Sequence, residues 1–152
     1  MINLFPIGKV VNSREEIEDD YWGNTLSAII LDDSIDSSSL KGIEEFSHLE
    51  IIFHFDKADD NKIVTGARHP RNLEHLPETG IFAQRGKNRP NKLGLTIVKL
   101  IKAEGKTLIV EGLDAINGSP VLDIKPVYKE FLPSEEIRQP EWIKEIMKDY
   151  WK

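Results

Sequence analysis

A chain of 152 residues, 39% hydrophobic and 30% charged, has the apolar material to bury a core in one soluble domain. It has no cysteine, which excludes disulfides, thiolate metal sites and a cysteine nucleophile, and no apolar run approaches the roughly 20 residues that cross a bilayer. The net charge of −6 is unevenly spread: residues 62–102 hold nine Lys/Arg against Glu74 and Glu78, a local +7 that leaves −13 for the remainder.

From the N-terminus, MINLFPIGKVV is interrupted by Pro6, Gly8 and Lys9 too early for a secretory signal, so the expected location is cytoplasmic. TLSAIIL (25–31) is β-rich and short, as a strand should be. The polar stretch 31–46 is expected to hold a turn of helix at its end. SHLEIIFHF (47–55) alternates with period two, placing Leu49, Ile51, Phe53 and Phe55 on one face and His48, Glu50, Ile52 and His54 on the other. Residues 56–80, with Asp59-Asp60-Asn61, Gly66, Pro70 and Pro77, read as a long mobile loop, a feature more often functional than idle.

FAQRGKNRPNKLGL (82–95) concentrates Arg85, Lys87, Arg89 and Lys92 without an acid, and adds Asn88, Asn91 and the stiffening Pro90. Arginine offers a planar fork of donors suited to carboxylate or phosphate, and asparagine matches a base edge or a carboxylate. Such polarity fits a specific anionic partner meeting one face; the competing reading is a merely solvated surface. LTIVKLI (95–101) and TLIVEGL (107–113) are the next strands, and Asn117-Gly118 is a tight-turn signal expected to join EGLDAI and SPVLDIKPVY as a hairpin.

The one helix expected spans about 140–151. It has Pro140 in its first turn and Trp142, Ile143, Ile146, Met147 and Tyr150 on one stripe, directed at the chain's own barrel or at a dimer partner. Short strands with Gly, Pro and Asp turns predict a mainly β fold: a single-domain β-barrel over 1–152 with a C-terminal helix and a long mobile loop.

The chemistry is less directly written. Neither GxxxxGK[ST] nor GxGxxG occurs, so a doubly wound nucleotide fold has little support. His48 and His54 lie about 20 Å apart on an extended strand, too far to share an ion, and no metal site is expected. No serine sits in a nucleophile-elbow context.

Four blocks in order, PIGKV, GIEEFSHLEIIFHF, GIFAQRGKNRPNKLGLTIVKL and EGLDAINGSPVLDIKP, spread over residues 6–126, resemble the signature blocks of the TsaA-like family, which includes the TrmO-type tRNA N6-methyltransferases. The resemblance implies a β-barrel methyltransferase, homodimeric, that takes S-adenosylmethionine near the dimer interface and methylates N6 of threonylcarbamoyl-adenosine beside the anticodon of tRNA. Carried over by position, the cofactor contacts would be His54, Phe55, Arg85 and Leu95, together with Asp114, Ala115, Ile116, Asn117 and Gly118. Lys87, Arg89, Lys92, Arg68 and Arg71 would meet tRNA, and Arg85, Asn91 and Asp114 are the candidates for the catalytic step, with no general base assigned.

This sequence departs from the family pattern at Gln84 (the family's Thr), at Gly86-Lys87-Asn88, at Lys92 (the second proline), and at EDDYWGNTLSA, where the family has Pro-Arg-Gln. Trp22 in that replacement is open to two readings, a stacking surface for adenine or barrel packing. Other functions also stay open: a non-catalytic nucleotide- or RNA-binding barrel, a methyltransferase acting on a different substrate, and a purely structural interaction protein.

Overall fold

The computed structural model describes residues 1–152. Six strands close a barrel: β1 (Gly8–Val11), β2 (Leu26–Leu31), β3 (His48–His54), β6 (Leu93–Glu104), β7 (Thr107–Glu111) and β8 (Pro120–Pro126). Their order around the wall is β1-β2-β7-β6-β3-β8, with β1 pairing back onto β8. Two two-residue strands, β4 (Ala67–Arg68) and β5 (Thr79–Gly80), pair with each other outside it.

The period-two patterns point the right residues inward. Leu49, Ile51 and Phe53 of β3 are buried, as are Gly94, Thr96 and Val98 of β6, while Leu93, Leu95 and Ile97 face out. Gly94 is dictated by packing, because a Cβ there would strike the Phe53 ring. The interior is filled by Val10, Ile29, Leu108, Val110, Leu113 and Val121 with these residues.

Three expectations are corrected. Asn117-Gly118 does not join a hairpin: β7 pairs with β2 and β6, β8 pairs with β1 and β3, and EGLDAI is not a strand beyond Glu111. Residues 112–119 instead cross the barrel end, held by the distant 10–14 segment. Asn117 N donates to Arg14 O (2.7 Å), Gly118 N to Val10 O (2.7 Å), and Asn12 N to Asn117 Oδ1 (3.1 Å). Gly118 does adopt the positive φ (85°) that its sequence context foretold, so the turn is present while its partner is different.

The 56–80 segment is likewise more than an unstructured loop. It carries β4, β5 and short 3₁₀ turns at Asp60–Lys62 and Pro70–Asn72. Gln84 clamps the two small strands together, its Nε2 donating to Arg68 O (3.1 Å) and Thr79 O (2.7 Å).

The C-terminal helix is shorter than expected: α1 covers Trp142–Ile146 only. Tighter turns follow, with Tyr150 N donating to Met147 O at 3.2 Å. The expected stripe nonetheless forms, since Trp142, Ile143, Ile146, Met147 and Tyr150 are all half-buried. The helix ends early because the chain must turn to run beside residues 21–23, where Tyr21 N donates to Asp149 O (3.1 Å) and Trp22 N to Tyr150 O (2.8 Å). This segment therefore packs on its own barrel.

Candidate functional site

Strand register gathers one end of the barrel from the end of β3, the starts of β6 and β2, the end of β7 and the start of β8, because His54 faces Leu93, Leu26 faces Glu111 and Lys9 faces Pro120. The crossing segment 112–119 lies over that end, and the basic loop enters it at β6.

Three chain segments meet there on one carboxylate. Thr96, inward on β6, donates from Oγ1 to Asp114 Oδ1, and Tyr150 from the C-terminal turn donates its hydroxyl to Asp114 Oδ2. One residue before Thr96, the Leu95 carbonyl accepts from Arg85 Nη2 at 2.6 Å, tying the basic loop to the same strand. Burial, then the Asp114 charge and its hydrogen bond, push the Tyr150 phenol up well beyond the ordinary tyrosine range, while the positive charges of Arg71 and Arg85 pull it the other way. Arg71 is close enough to bear on this charge and is itself ion-paired to Asp20 at 3.1 Å.

The site residues expected from sequence divide between this cluster and its frame. Arg85 and Asp114 reach neighbouring residues of β6, Arg85 at the Leu95 carbonyl and Asp114 at the Thr96 hydroxyl, while the Leu95 side chain faces out. His54 and Phe55 stand at the adjacent end of β3, Phe55 N donating to Lys92 O at 2.8 Å and its ring meeting Phe53 edge-on at 5.0 Å. Ala115 turns its side chain into the core and gives its carbonyl to Asn12 Nδ2 (2.8 Å). The Ile116 carbonyl is taken by Ser119, and Asn117 Nδ2 by Glu15 at 2.8 Å. Of the 114–118 turn, Asp114 alone presents its side chain to the Thr96–Tyr150 cluster; the remainder fixes the crossing.

Among the cations, Lys92 is not a free contact. Its side chain is only 15% exposed and pairs with Asp60 at 2.8 Å, and the ammonium holds the Asp60 carboxyl below its usual value. Arg89 turns back on its own loop, donating to Gln84 O at 2.8 Å. Arg68 is half-buried with Nε unpartnered, as is Asn88 Oδ1. Lys87 makes no ion pair, and Asn91 is exposed. Trp22 is 2% exposed and its face is covered by the Arg14 guanidinium at 3.7 Å, so it packs rather than offering a stacking surface.

Tyr150 and Thr96 escaped the sequence reading. Thr96 carried a signal, as the only hydroxyl in the inward set of an otherwise apolar strand. Tyr150 had none, since the helical stripe accounted for it. The four histidines are dispersed, with His69 on Leu76 O (2.7 Å) and His75 on Glu145 (2.6 Å), and no three metal-ligating side chains gather. A cavity of about 510 Å³ with a mixed lining lies at the other end of the barrel, where Ile7, Leu31, Leu40 and Phe46 stand beside Lys41 and Glu45. Asp123 faces that cavity and pairs with Lys125 (3.6 Å), away from Asp114.

A family model described as the tRNA-methyltransferase O N-terminal domain matches residues 18–131. The chain belongs to this family. Human tRNA (adenine(37)-N6)-methyltransferase is 40% identical over 102 residues, covering 67% of this chain and 23% of that protein. A probable S-adenosyl-L-methionine-binding protein of Pyrococcus abyssi is 37% identical over 102 residues, covering 67% of this chain and 53% of that protein. Crystal structures of TrmO from Pseudomonas aeruginosa superpose with TM-scores of 0.73 and 0.70, both at 26% identity, over 93% and 90% of this chain and 61% of each of those chains. The chain thus spans between 21% and 63% of the length of the curated relatives it matches. The mainly β barrel expected from the short strands is the fold of these neighbours. No helix is long and apolar enough to cross a membrane.

Proposed function

We propose that this chain is an S-adenosylmethionine-dependent methyltransferase of tRNA, acting on N6 of the adenosine at position 37 in its threonylcarbamoyl form. Membership of the family supports this reading, as does the similarity to a human tRNA methyltransferase and to a probable S-adenosyl-L-methionine-binding protein. The observation that carries it is local: Arg85, Thr96 and Asp114, from the third and fourth signature blocks, are brought to one end of the barrel.

The donor set suits the cofactor. A zwitterionic sulfonium nucleoside needs an acceptor for ribose hydroxyls or its amino group, a cation for its carboxylate, and apolar surface for its base. Asp114 is the acceptor, Arg85 the cation, and Phe55, at the adjacent end of β3, the apolar surface. Bound S-adenosylmethionine would supply an electrophilic methyl carbon, so the protein's task is mainly orientation, which is worth on the order of 7–11 kcal/mol for well-placed reactants. With Arg89 donating to its own loop and Lys92 paired to Asp60, Arg85, which spends only Nη2 on the Leu95 carbonyl, is the guanidinium of this loop assigned to the methionine carboxylate, and Lys87 is assigned to a tRNA phosphate.

The exposed apolar row Leu93, Leu95, Ile97 and Ile101 along the outside of β6 is where a second copy would pack to make the homodimer. The setting is the cytoplasm, where tRNA is modified.

Calorimetry with S-adenosylmethionine, followed by methyl transfer to tRNA with and without the threonylcarbamoyl group, tests the proposal. Cofactor uptake with turnover only on the modified tRNA is expected, and Arg85→Ala should weaken cofactor binding. Affinity without turnover on either tRNA would instead favour a binding barrel. That reading draws on the family's Pro-Arg-Gln position, which here is a segment folded around buried Trp22.

A further inference from the structure

The residues matched by the family model stop at 131, yet the cluster on Asp114 is completed from residue 150. We infer that the C-terminal turn is a working wall of the site and that Tyr150 is the positioning residue that fixes the Asp114 carboxylate for the cofactor. The inference rests on the S-adenosylmethionine reading above and adds to it a residue outside the matched region.

The tail is held to the barrel at several points. Its 149–150 carbonyls accept from the Tyr21 and Trp22 amides, and Glu145 reaches His75 at 2.6 Å. Gly23 lies so close under Trp151 that any Cβ would collide with the Trp151 carbonyl oxygen. These contacts set the height of Tyr150 above the barrel end. Its ring is further located by Trp151, edge-on at 4.7 Å. The hydroxyl therefore arrives at Asp114 from a fixed frame.

Its role follows from counting acceptors. An ionised carboxylate has about four lone-pair sites. Thr96 fills one on Oδ1 and Tyr150 one on Oδ2, which locks the plane of the group and leaves one site on each oxygen for a ligand. With one donor only, the carboxylate can rotate about its own bond, and a binding group that loose loses much of its value. Tyr150 cannot act as a base here, because its burial beside an anion keeps the phenol protonated. It is a donor that orients Asp114.

The test is calorimetric titration of S-adenosylmethionine into wild type, Tyr150→Phe, Asp114→Asn and the double variant. Phenylalanine keeps the ring and its packing, so only the hydrogen bond is lost. The dissociation constant of Tyr150→Phe is expected to rise about tenfold, the effect of losing a hydrogen bond to a charged group. The double variant should lose no more affinity than Asp114→Asn alone, because Tyr150 acts through Asp114. A merely structural role would make the two losses add and would overturn the inference. Unchanged affinity in Tyr150→Phe would also overturn it, and tighter binding would show the tail to be a plug instead. Wild type that takes up no S-adenosylmethionine would overturn the proposed function and this role with it, an outcome distinct from uptake that ignores Tyr150.

Discussion

Arg14 turns its whole guanidinium inward. Nη1 donates to Tyr21 O (2.8 Å) and Thr25 Oγ1 (3.2 Å), Nη2 to Glu18 (3.0 Å) and Asp20 O (3.0 Å), and the plane lies over Trp22. A point-charge ammonium cannot serve that fork and stack at once. Arg14→Ala is expected to lower the unfolding free energy by about 3 kcal/mol and Arg14→Lys to recover less than half of that, read from urea midpoints at constant m-value. At the other face of the same segment, Tyr150 makes stability depend on alkali. Its folded value is raised above the unfolded one near 10, so the native state holds the proton more tightly and the unfolded state releases it first. The stabilisation is complete below about pH 10 and falls as pH rises beyond it. Tyr150→Phe should remove that part of the slope in denaturation curves taken between pH 9 and about 11, together with the most alkaline component of the phenolate absorbance titration.

At the scale of elements, alternation told most of the barrel. The residues of β3, and of β6 up to Leu100, face as their period-two positions require, because an antiparallel strand buried on one side cannot slip by one residue without exposing its core; past Leu100 a bulge resets the alternation and turns Ala103 inward. Elements set by distant partners were not legible. Asn117-Gly118 carries a local turn signal, but what it turns against is Asn12, 105 residues away. Strands β4 and β5 have two residues each, too few to show any period. The candidate site divides in the same way: Arg85 and Asp114 stand in recognisable blocks, whereas Tyr150 reaches Asp114 only because the tail docks beside residues 21–22, its 149 and 150 carbonyls accepting from the Tyr21 and Trp22 amides. That docking gives an element-scale prediction. Gly23→Ala should drive the tail off, since the Trp151 backbone has to move to admit a Cβ. Limited proteolysis should then cut at the exposed 133–141 stretch several-fold faster than in wild type, with the barrel core remaining intact.

At the scale of the whole molecule, the local +7 is smaller in effect than its formal value. Of the nine cations in 62–102, Arg71, Lys92 and Lys102 are ion-paired to Asp20, Asp60 and Glu104. Arg89 donates to the carbonyls of its own loop. The sequence displays the charges but not their partners, and two of these partners lie in other segments: Lys92 and Asp60 are 32 residues apart, Arg71 and Asp20 are 51. On the proposed function, binding to tRNA should therefore rest on few phosphates and have a shallow salt dependence. Each phosphate met by a free cation contributes about −0.7 to −0.9 to the slope of log affinity against log salt. Lys87→Ala is expected to reduce the steepness of that slope by about this amount, measured by filter binding or fluorescence anisotropy across a salt series. Lys92→Ala, although it removes the same formal charge from the same loop, should leave the slope unchanged, because its ammonium already faces Asp60 and releases no counterion from the RNA. Equal changes for the two variants would show that the loop reorganises on the nucleic acid, with Lys92 leaving Asp60 to join the contact.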